Sequence, residues 1–185
     1  MRTLTFGMNV SVDGYVAGPG DDLGWSVPSD EVFQWWSDRV AATDTALYGR
    51  KLWQGMSAHW PTADQQPDAT PATVEYAHRW QAMSKVVFSS TLGEAQGALV
   101  VAGDAVSEIR RLKALDGGPM DLCGATLASA AMRAGLIDEY VLMTHPVLVG
   151  GGTPFFTLLD GSVGLRLVET RAFPEGIVLT RYAVR

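Results

Sequence analysis

The sequence predicts an α/β domain: one mixed, mostly parallel sheet of about eight strands, with helices on both faces and a C-terminal antiparallel hairpin. Three observations carry that expectation. Short apolar runs alternate with amphipathic segments along most of the chain, the pattern of βαβ units with right-handed crossovers. Glycine and proline turns punctuate them. The last two apolar runs, 165–173 and 176–184, have no helix between them, only Pro174-Glu175-Gly176, so they read as a hairpin. A chain of 185 residues, 47% hydrophobic and 18% charged, suits a single domain over 1–185, with no linker, repeat or low-complexity run.

Residues 3–10 read as a buried strand, and the Gly-, Asp- and Pro-rich stretch 11–28 as a long loop. Ser29 or Asp30 caps a helix over 31–41, with Val32, Phe33, Trp36 and Val40 on one face. Thr45 to Tyr48 form a short strand, broken at Gly49, and a short helix begins at Arg50. A polar loop (58–70), a helix (72–83) and strands at 85–89 and 98–101 follow. The segment 104–116 is the clearest helix, because Val106, Ile109 and Leu112 recur every third residue, and Gly117-Gly118 stops it. Strand 119–123, helix 126–134 and a long strand over 137–149 come before the hairpin; a triple glycine at 150–152 then leads into a loop and reads as a flexible connection, with close approach to a substrate as the alternative.

The net charge of −6 argues against nucleic acid and anionic membrane surfaces as partners, since both require a basic face. No run approaches the ~20 apolar residues of a membrane span. MRTLTFGMNV alternates like a strand and lacks the layout of a signal peptide. With only one cysteine, Cys123, no internal disulfide can form; together these features favour a reducing, cytoplasmic setting. Cys123 reads as a small buried residue near a strand end, with no histidine close in sequence to activate it. His59, His78 and His145 lack ligand-like spacing, so no metal site is expected.

In open parallel sheets, ligands sit beyond the carboxyl ends of the strands. Three turns there offer groups that phosphates need: Gly49-Arg50-Lys51, Ser89-Ser90-Thr91 and Cys123-Gly124-Ala125-Thr126. Gly124 and Ala125 permit close backbone approach, and the amides of the following helix turn can hold an anion. Arg50 and Lys51 supply cationic donors, and the Ser/Thr residues supply hydroxyls and amides. Each turn alone is commonplace; their joint position at strand ends points to a ligand with separated phosphates, of which NADPH is one.

The order of these motifs resembles the dihydrofolate reductase-like superfamily, closest to the C-terminal reductase domain of bacterial riboflavin biosynthesis. Ser11-Val12-Asp13-Gly14, Tyr48-Gly49-Arg50-Lys51, Lys85 to Thr91, Cys123 to Leu127, Gly135 to Tyr140 and Pro146 to Gly152 carry the resemblance, which spans nearly the whole chain. It implies NADPH bound across the strand ends. The pyrophosphate would lie between Gly49-Arg50-Lys51 and Gly124-Ala125-Thr126-Leu127. Arg50, Ser89, Ser90 and Thr91 would surround the adenosine ribose phosphate, and Val16 and Ala17 would line the nicotinamide. It also implies a homodimer. Two positions depart from the family: Cys123 replaces a usual glycine, and Leu52 stands where dihydrofolate reductases carry threonine.

The expected activity is hydride transfer from NADPH to a small heterocycle, either a pterin such as dihydrofolate or a ribosylaminopyrimidine-type ketone. No zinc-deaminase motif of the His-x-Glu and Cys-x-x-Cys kind occurs, so a stand-alone reductase is expected. Two carboxylates are candidates for the catalytic proton. Trp25 to Asp30 resembles the segment that carries the pocket carboxylate of dihydrofolate reductases, with Asp30 on that position, although Asp30 equally suits a helix cap. Asp13 is the second candidate, and also a natural turn residue; water is a third source. The rival reading is a non-catalytic nucleotide-binding or regulatory protein that kept the fold.

Overall fold

A computed structural model describes all 185 residues. The chain runs through β1 (Leu4–Ser11), β2 (Tyr15–Ala17), α1 (Asp30–Ala42), β3 (Thr45–Gly49), α2 (Arg50–His59), α3 (Pro71–Ala82) and β4 (Ser84–Phe88). It continues through β5 (Leu99–Val101), α4 (Ala105–Ala114), β6 (Met120–Cys123), α5 (Ala125–Arg133) and β7 (Glu139–His145). It ends with β8 (Thr153–Pro154), β9 (Leu165–Ala172) and β10 (Val178–Val184).

The main sheet has eight strands in the order β5-β4-β3-β6-β1-β7-β10-β9. The first six are mutually parallel. β10 runs antiparallel to both β7 and β9, which makes the hairpin expected from Pro174-Glu175-Gly176 and leaves β9 as the outer edge. Glu175 takes the left-handed conformation (φ 65°) that closes this turn.

The two faces bury different sets of side chains, as strand alternation requires. Phe6, Leu47, Val86 and Leu122 pack against Ile109 and Leu112 of α4 and Leu127 and Met132 of α5. On the other face Ala46, Tyr48 and Val87 meet Trp53 of α2 and Trp80 of α3, and the Trp80 indole donates to the Tyr48 hydroxyl at 2.9 Å. Val141, Met143 and Leu179 complete that face beneath Val32, Trp35 and Trp36 of α1.

Helix boundaries follow local chemistry. Asp104 caps α4 by accepting from the amides of Val106 and Ser107, both at 3.2 Å. Removing that cap in Asp104→Ala is expected to destabilise the protein, read as a lowered urea midpoint with an unchanged slope. Ser29 occupies the cap position of α1, yet its side chain makes no capping bond.

Three expectations need correction. The strand expected over 137–149 ends at His145, because its partner β1 ends opposite at Ser11 and Pro146 interrupts the chain. Residues 15–17 and 153–154, assigned to loops, pair as a separate two-stranded ribbon. The triple glycine is not a loose connection: the amides of Val149 and Gly150 donate to the two Asp13 oxygens at 3.2 and 2.8 Å.

Candidate functional site

β4, β3, β6 and β1 lie side by side and parallel, so Ser89, Gly49, Gly124 and Ser11 fall on one rim of the sheet. The three turns singled out in the sequence therefore come together. Gly49 and Gly124 nearly touch: a Cβ on Gly124 would lie 3.8 Å from the Gly49 nitrogen and 3.7 Å from the Leu52 Cβ. A Cβ on Gly49 would meet the Leu127 Cβ at 3.6 Å. Two helices thus open next to each other, α2 after Gly49 and α5 after Gly124. Neither glycine supplies a side-chain cap, which leaves the first-turn amides of both helices free to bind an acceptor. Gly124 sits at φ 112°, a conformation that disfavours any side chain. All peptide bonds are trans, that between Cys123 and Gly124 included.

Other residues on the rim have separate duties. Arg50 is exposed and bonded only to the Gln54 amide oxygen, at 3.2 Å, so its guanidinium is available. Lys51 instead pairs with Asp21 at 2.5 Å, tying the loop after β2 to α2. The Ser89 hydroxyl accepts from the amides of Thr91 and Leu92 at 3.2 and 3.0 Å, folding a tight turn that presents Ser90 and Thr91 to solvent. Thr126 is exposed in the first turn of α5, and Ala125 is half-buried beside it. Leu127 is buried and belongs to the core.

Val16 and Ala17 are buried in β2, held against β8. Gly152 makes this contact possible, since a Cβ there would lie 2.1 Å from the Ala17 carbonyl oxygen. Phe155 anchors the ribbon: its amide donates to the Gly14 carbonyl at 2.9 Å and its ring packs 4.4 Å from that of Phe6.

The two candidate acids occupy different settings. Asp13 is exposed and acts as a clamp; the Ser11 hydroxyl and the Gly150 and Val149 amides hold its pKa below the usual carboxylate value. That environment favours the ionised form and does not suit a proton donor. Asp30 is the exposed first residue of α1 and makes no hydrogen bond. Cys123 keeps its thiol: burial, then the Asp121 carboxylate, push its pKa well above the ordinary value. Alkylation by iodoacetamide is expected to be at least about 100-fold slower in the native protein than in urea, because the thiolate is so scarce.

The sequence favours a surface or structural role for His145 over metal binding, and the structure buries it. It is 3% exposed at the carboxyl end of β7, opposite Ser11, with the Trp25 ring edge-on at 5.7 Å. No local signal in the sequence marks this position, because its setting arises from register with Ser11. No group of His, Cys, Asp and Glu in the structure could hold a metal ion. A cavity of ≈ 430 Å³ lies elsewhere, between Trp53, Trp80 and the loop at Glu94–Gly97. The Lys85 amine at its wall donates to the carbonyls of Gln81 (3.2 Å) and Met83 (2.6 Å), closing the end of α3.

Comparison with known proteins agrees with this architecture. The RibD C-terminal domain profile matches residues 2–179. The chain belongs to the RibD C-terminal domain family. Its relatives include the uncharacterized YyaP of Bacillus subtilis (strain 168), 29% identical over 183 residues, covering 98% of this chain and 94% of that one. YwjB of the same organism is 26% identical over 172 residues, covering 92% and 91%. Among solved structures, a Shewanella sp. PV-4 protein whose name assigns it to riboflavin biosynthesis superposes with a TM-score of 0.77 at 24% identity, covering 100% of this chain and 99% of its own. Dihydrofolate reductase of Enterococcus faecalis, in complex with NADP(H), gives 0.65 at 19% identity, covering 99% and 96%. A Thermotoga maritima deaminase/reductase gives 0.69 at 15% identity, covering all of this chain but 57% of its own. The fold is therefore dihydrofolate reductase-like, and family membership supports a reductase-type function. No helix is long and apolar enough to cross a membrane.

Proposed function

We propose that this member of the RibD C-terminal domain family is an NADPH-dependent reductase of a small heterocycle. The observation that carries the reading is the meeting of Gly49 and Gly124, which sets two uncapped helix N-termini side by side on the rim that also bears Arg50 and Ser90. The donor set fits a dinucleotide: amides without side-chain caps beside a glycine whose φ of 112° disfavours a side chain suit a pyrophosphate, and an available guanidinium suits a ribose phosphate. NADPH, when bound, supplies the hydride.

The chain's own residues would do the rest. The first-turn amides of α2 and α5 hold the pyrophosphate, assisted by Thr126. Arg50, Ser90 and Thr91 select the phosphorylated ribose. Val16 and Ala17 form a rigid apolar wall for the nicotinamide, because β8 and Phe155 brace them. Neither candidate carboxylate is enclosed: Asp13 is engaged by Val149 and Gly150, and Asp30 faces solvent. Solvent water is then the proton source for the reduced product, and a pocket carboxylate for a pterin is not part of this reading.

Calorimetry with NADPH and NADH tests the cofactor; micromolar binding of NADPH, with NADH much weaker, is expected. Consumption of NADPH is then followed at 340 nm with dihydrofolate and with a ribosylaminopyrimidine. Absence of NADPH binding at millimolar concentration sinks the reading. Tight binding without turnover of any heterocycle favours the non-catalytic nucleotide-binding alternative, to which the exposed position of Asp30 lends weight. A cytoplasmic homodimer completes the proposal, and sizing chromatography tests the dimer.

A further inference from the structure

The cavity of ≈ 430 Å³ between Trp53, Trp80 and the loop at Glu94–Gly97 lies apart from the proposed cofactor rim. Lys85, on its wall, stands at the amino end of β4, whereas the rim begins beyond the carboxyl end of that strand, at Ser89. The volume falls within the about 300–1,000 Å³ of small-molecule pockets. Trp53 of α2 and Trp80 of α3 supply aromatic lining, with their rings stacked at a centroid distance of 5.9 Å. Ser57, Gln81 and Glu94 add polar groups around them.

Lys85 differs from the other two lysines of the chain, Lys51 and Lys113. Lys51 pairs with Asp21 and Lys113 with Asp138, but no carboxylate pairs with Lys85. Glu94 shares its cavity and forms no ion pair with it. The Lys85 side chain is buried, and its amine donates to two neutral acceptors, the carbonyls of Gln81 at 3.2 Å and Met83 at 2.6 Å. The Trp80 ring, 4.4 Å from the nitrogen, attracts a cation more weakly than a carboxylate would. A neutral amine has two N–H groups and one lone pair. The two carbonyls use both N–H groups and leave the lone pair unengaged. Burial lowers the pKa of this amine and so raises the share of its neutral form at pH 7. A buried ammonium without a counter-charge is costly, and the form that avoids this cost is also the nucleophile.

We propose that this cavity is a carbonyl-binding site in which Lys85 condenses with an aromatic aldehyde. The Nζ lone pair attacks the aldehyde carbon; the carbonyl oxygen departs as water with both amine hydrogens, and an imine remains. The step is a condensation and needs no oxidant or reductant. Protonation of the imine nitrogen restores one N–H, which the Met83 carbonyl can accept in place of the original bond. The indoles of Trp53 and Trp80 offer apolar surface to the ring of the aldehyde. Glu94 is the other charged side chain on the cavity wall, so an uncharged ring is preferred to an anionic one. This activity is separate from the reductase reading and does not depend on it.

The test uses the full, unsubstituted chain. The protein is incubated at pH 7 with benzaldehyde and cyanoborohydride, which reduces the imine to a stable amine, and the labelled lysines are mapped by mass spectrometry. Lys85 is expected to label at least about tenfold faster than Lys51, which is exposed but engaged by Asp21. In urea the three lysines should label alike. Two further arms separate a binding site from a merely reactive amine. Acetaldehyde, which has no ring, should lose most of the preference for Lys85. Benzyl alcohol, which cannot form an imine, should slow the labelling of Lys85 by benzaldehyde and leave that of Lys51 unchanged. Lys51 labelling as fast as Lys85, an equal preference with acetaldehyde, or no protection by benzyl alcohol overturns the proposal.

Discussion

Gly152→Ala is expected to destabilise the protein by about 3–5 kcal/mol, the largest effect of any single methyl group added to this chain. The added Cβ would lie 2.1 Å from the Ala17 carbonyl oxygen and 2.7 Å from the Gly18 carbonyl carbon. Both are backbone atoms of the strand end that β8 braces, so no side-chain rotation relieves the clash. The residue also sits at φ 119°, where a side chain is itself strained. The ribbon must therefore separate, and with it the wall formed by Val16 and Ala17. Gly151→Ala is the control: it is strained in the same way (φ 153°), but nothing lies within 4 Å of its Cβ. It should cost only about 1–2 kcal/mol. Urea melts of the two variants check the contrast, and comparable losses would mean that β2 and β8 are not packed as described.

Arg50→Gln is expected to raise the Kd for NADPH by about 10- to 100-fold, the worth of a charge-assisted contact to phosphate, and to leave NADH binding unchanged. The melting temperature should hardly move, because Arg50 is exposed and its one protein contact is the 3.2 Å bond to Gln54. Lys51→Gln provides the comparison. Its amine is taken up by Asp21, so its loss should weaken both dinucleotides by a few-fold at most. Calorimetry on the three proteins with both dinucleotides decides the matter. Equal effects of Arg50→Gln on NADPH and NADH would remove the ribose phosphate from the turn at Gly49.

Much of this was legible in the sequence, for identifiable reasons. β3, β4 and β6 are short, largely apolar runs because both faces of a parallel sheet are covered, and Gly49, Ser89 and Gly124 stand where the chain must turn. The parallel order then obliges those three turns to share a rim. What escaped depended on contacts distant in sequence. β2 and β8, of three and two residues, are too short to show alternation. Asp13 looked free to act as an acid because the amides that engage it lie more than a hundred residues away, at Val149 and Gly150. Asp30 matched a pocket carboxylate in spacing, but the direction in which α1 presents its first residue is set by packing, and it is outward. His145 had no local signature, since its setting arises from register with Ser11 and from a tryptophan on another segment.

The outer strand, β9, bears on how the molecule behaves in a crowded solution. An unpaired strand is a template onto which another chain can add, and Leu167 on β9 is exposed enough to encourage that. Arg166, Glu169 and Arg171 interrupt the apolar run, and two of them are tethered within the molecule, Glu169 to Arg181 at 3.6 Å and Arg171 to Glu31 at 3.2 Å. An incoming strand would have to bury or displace these charges before zipping up. The border of the sheet is thereby guarded against runaway self-association, and neutralising Arg166 and Arg171 together is expected to weaken that guard, read as increased light scattering of the variant against the parent protein.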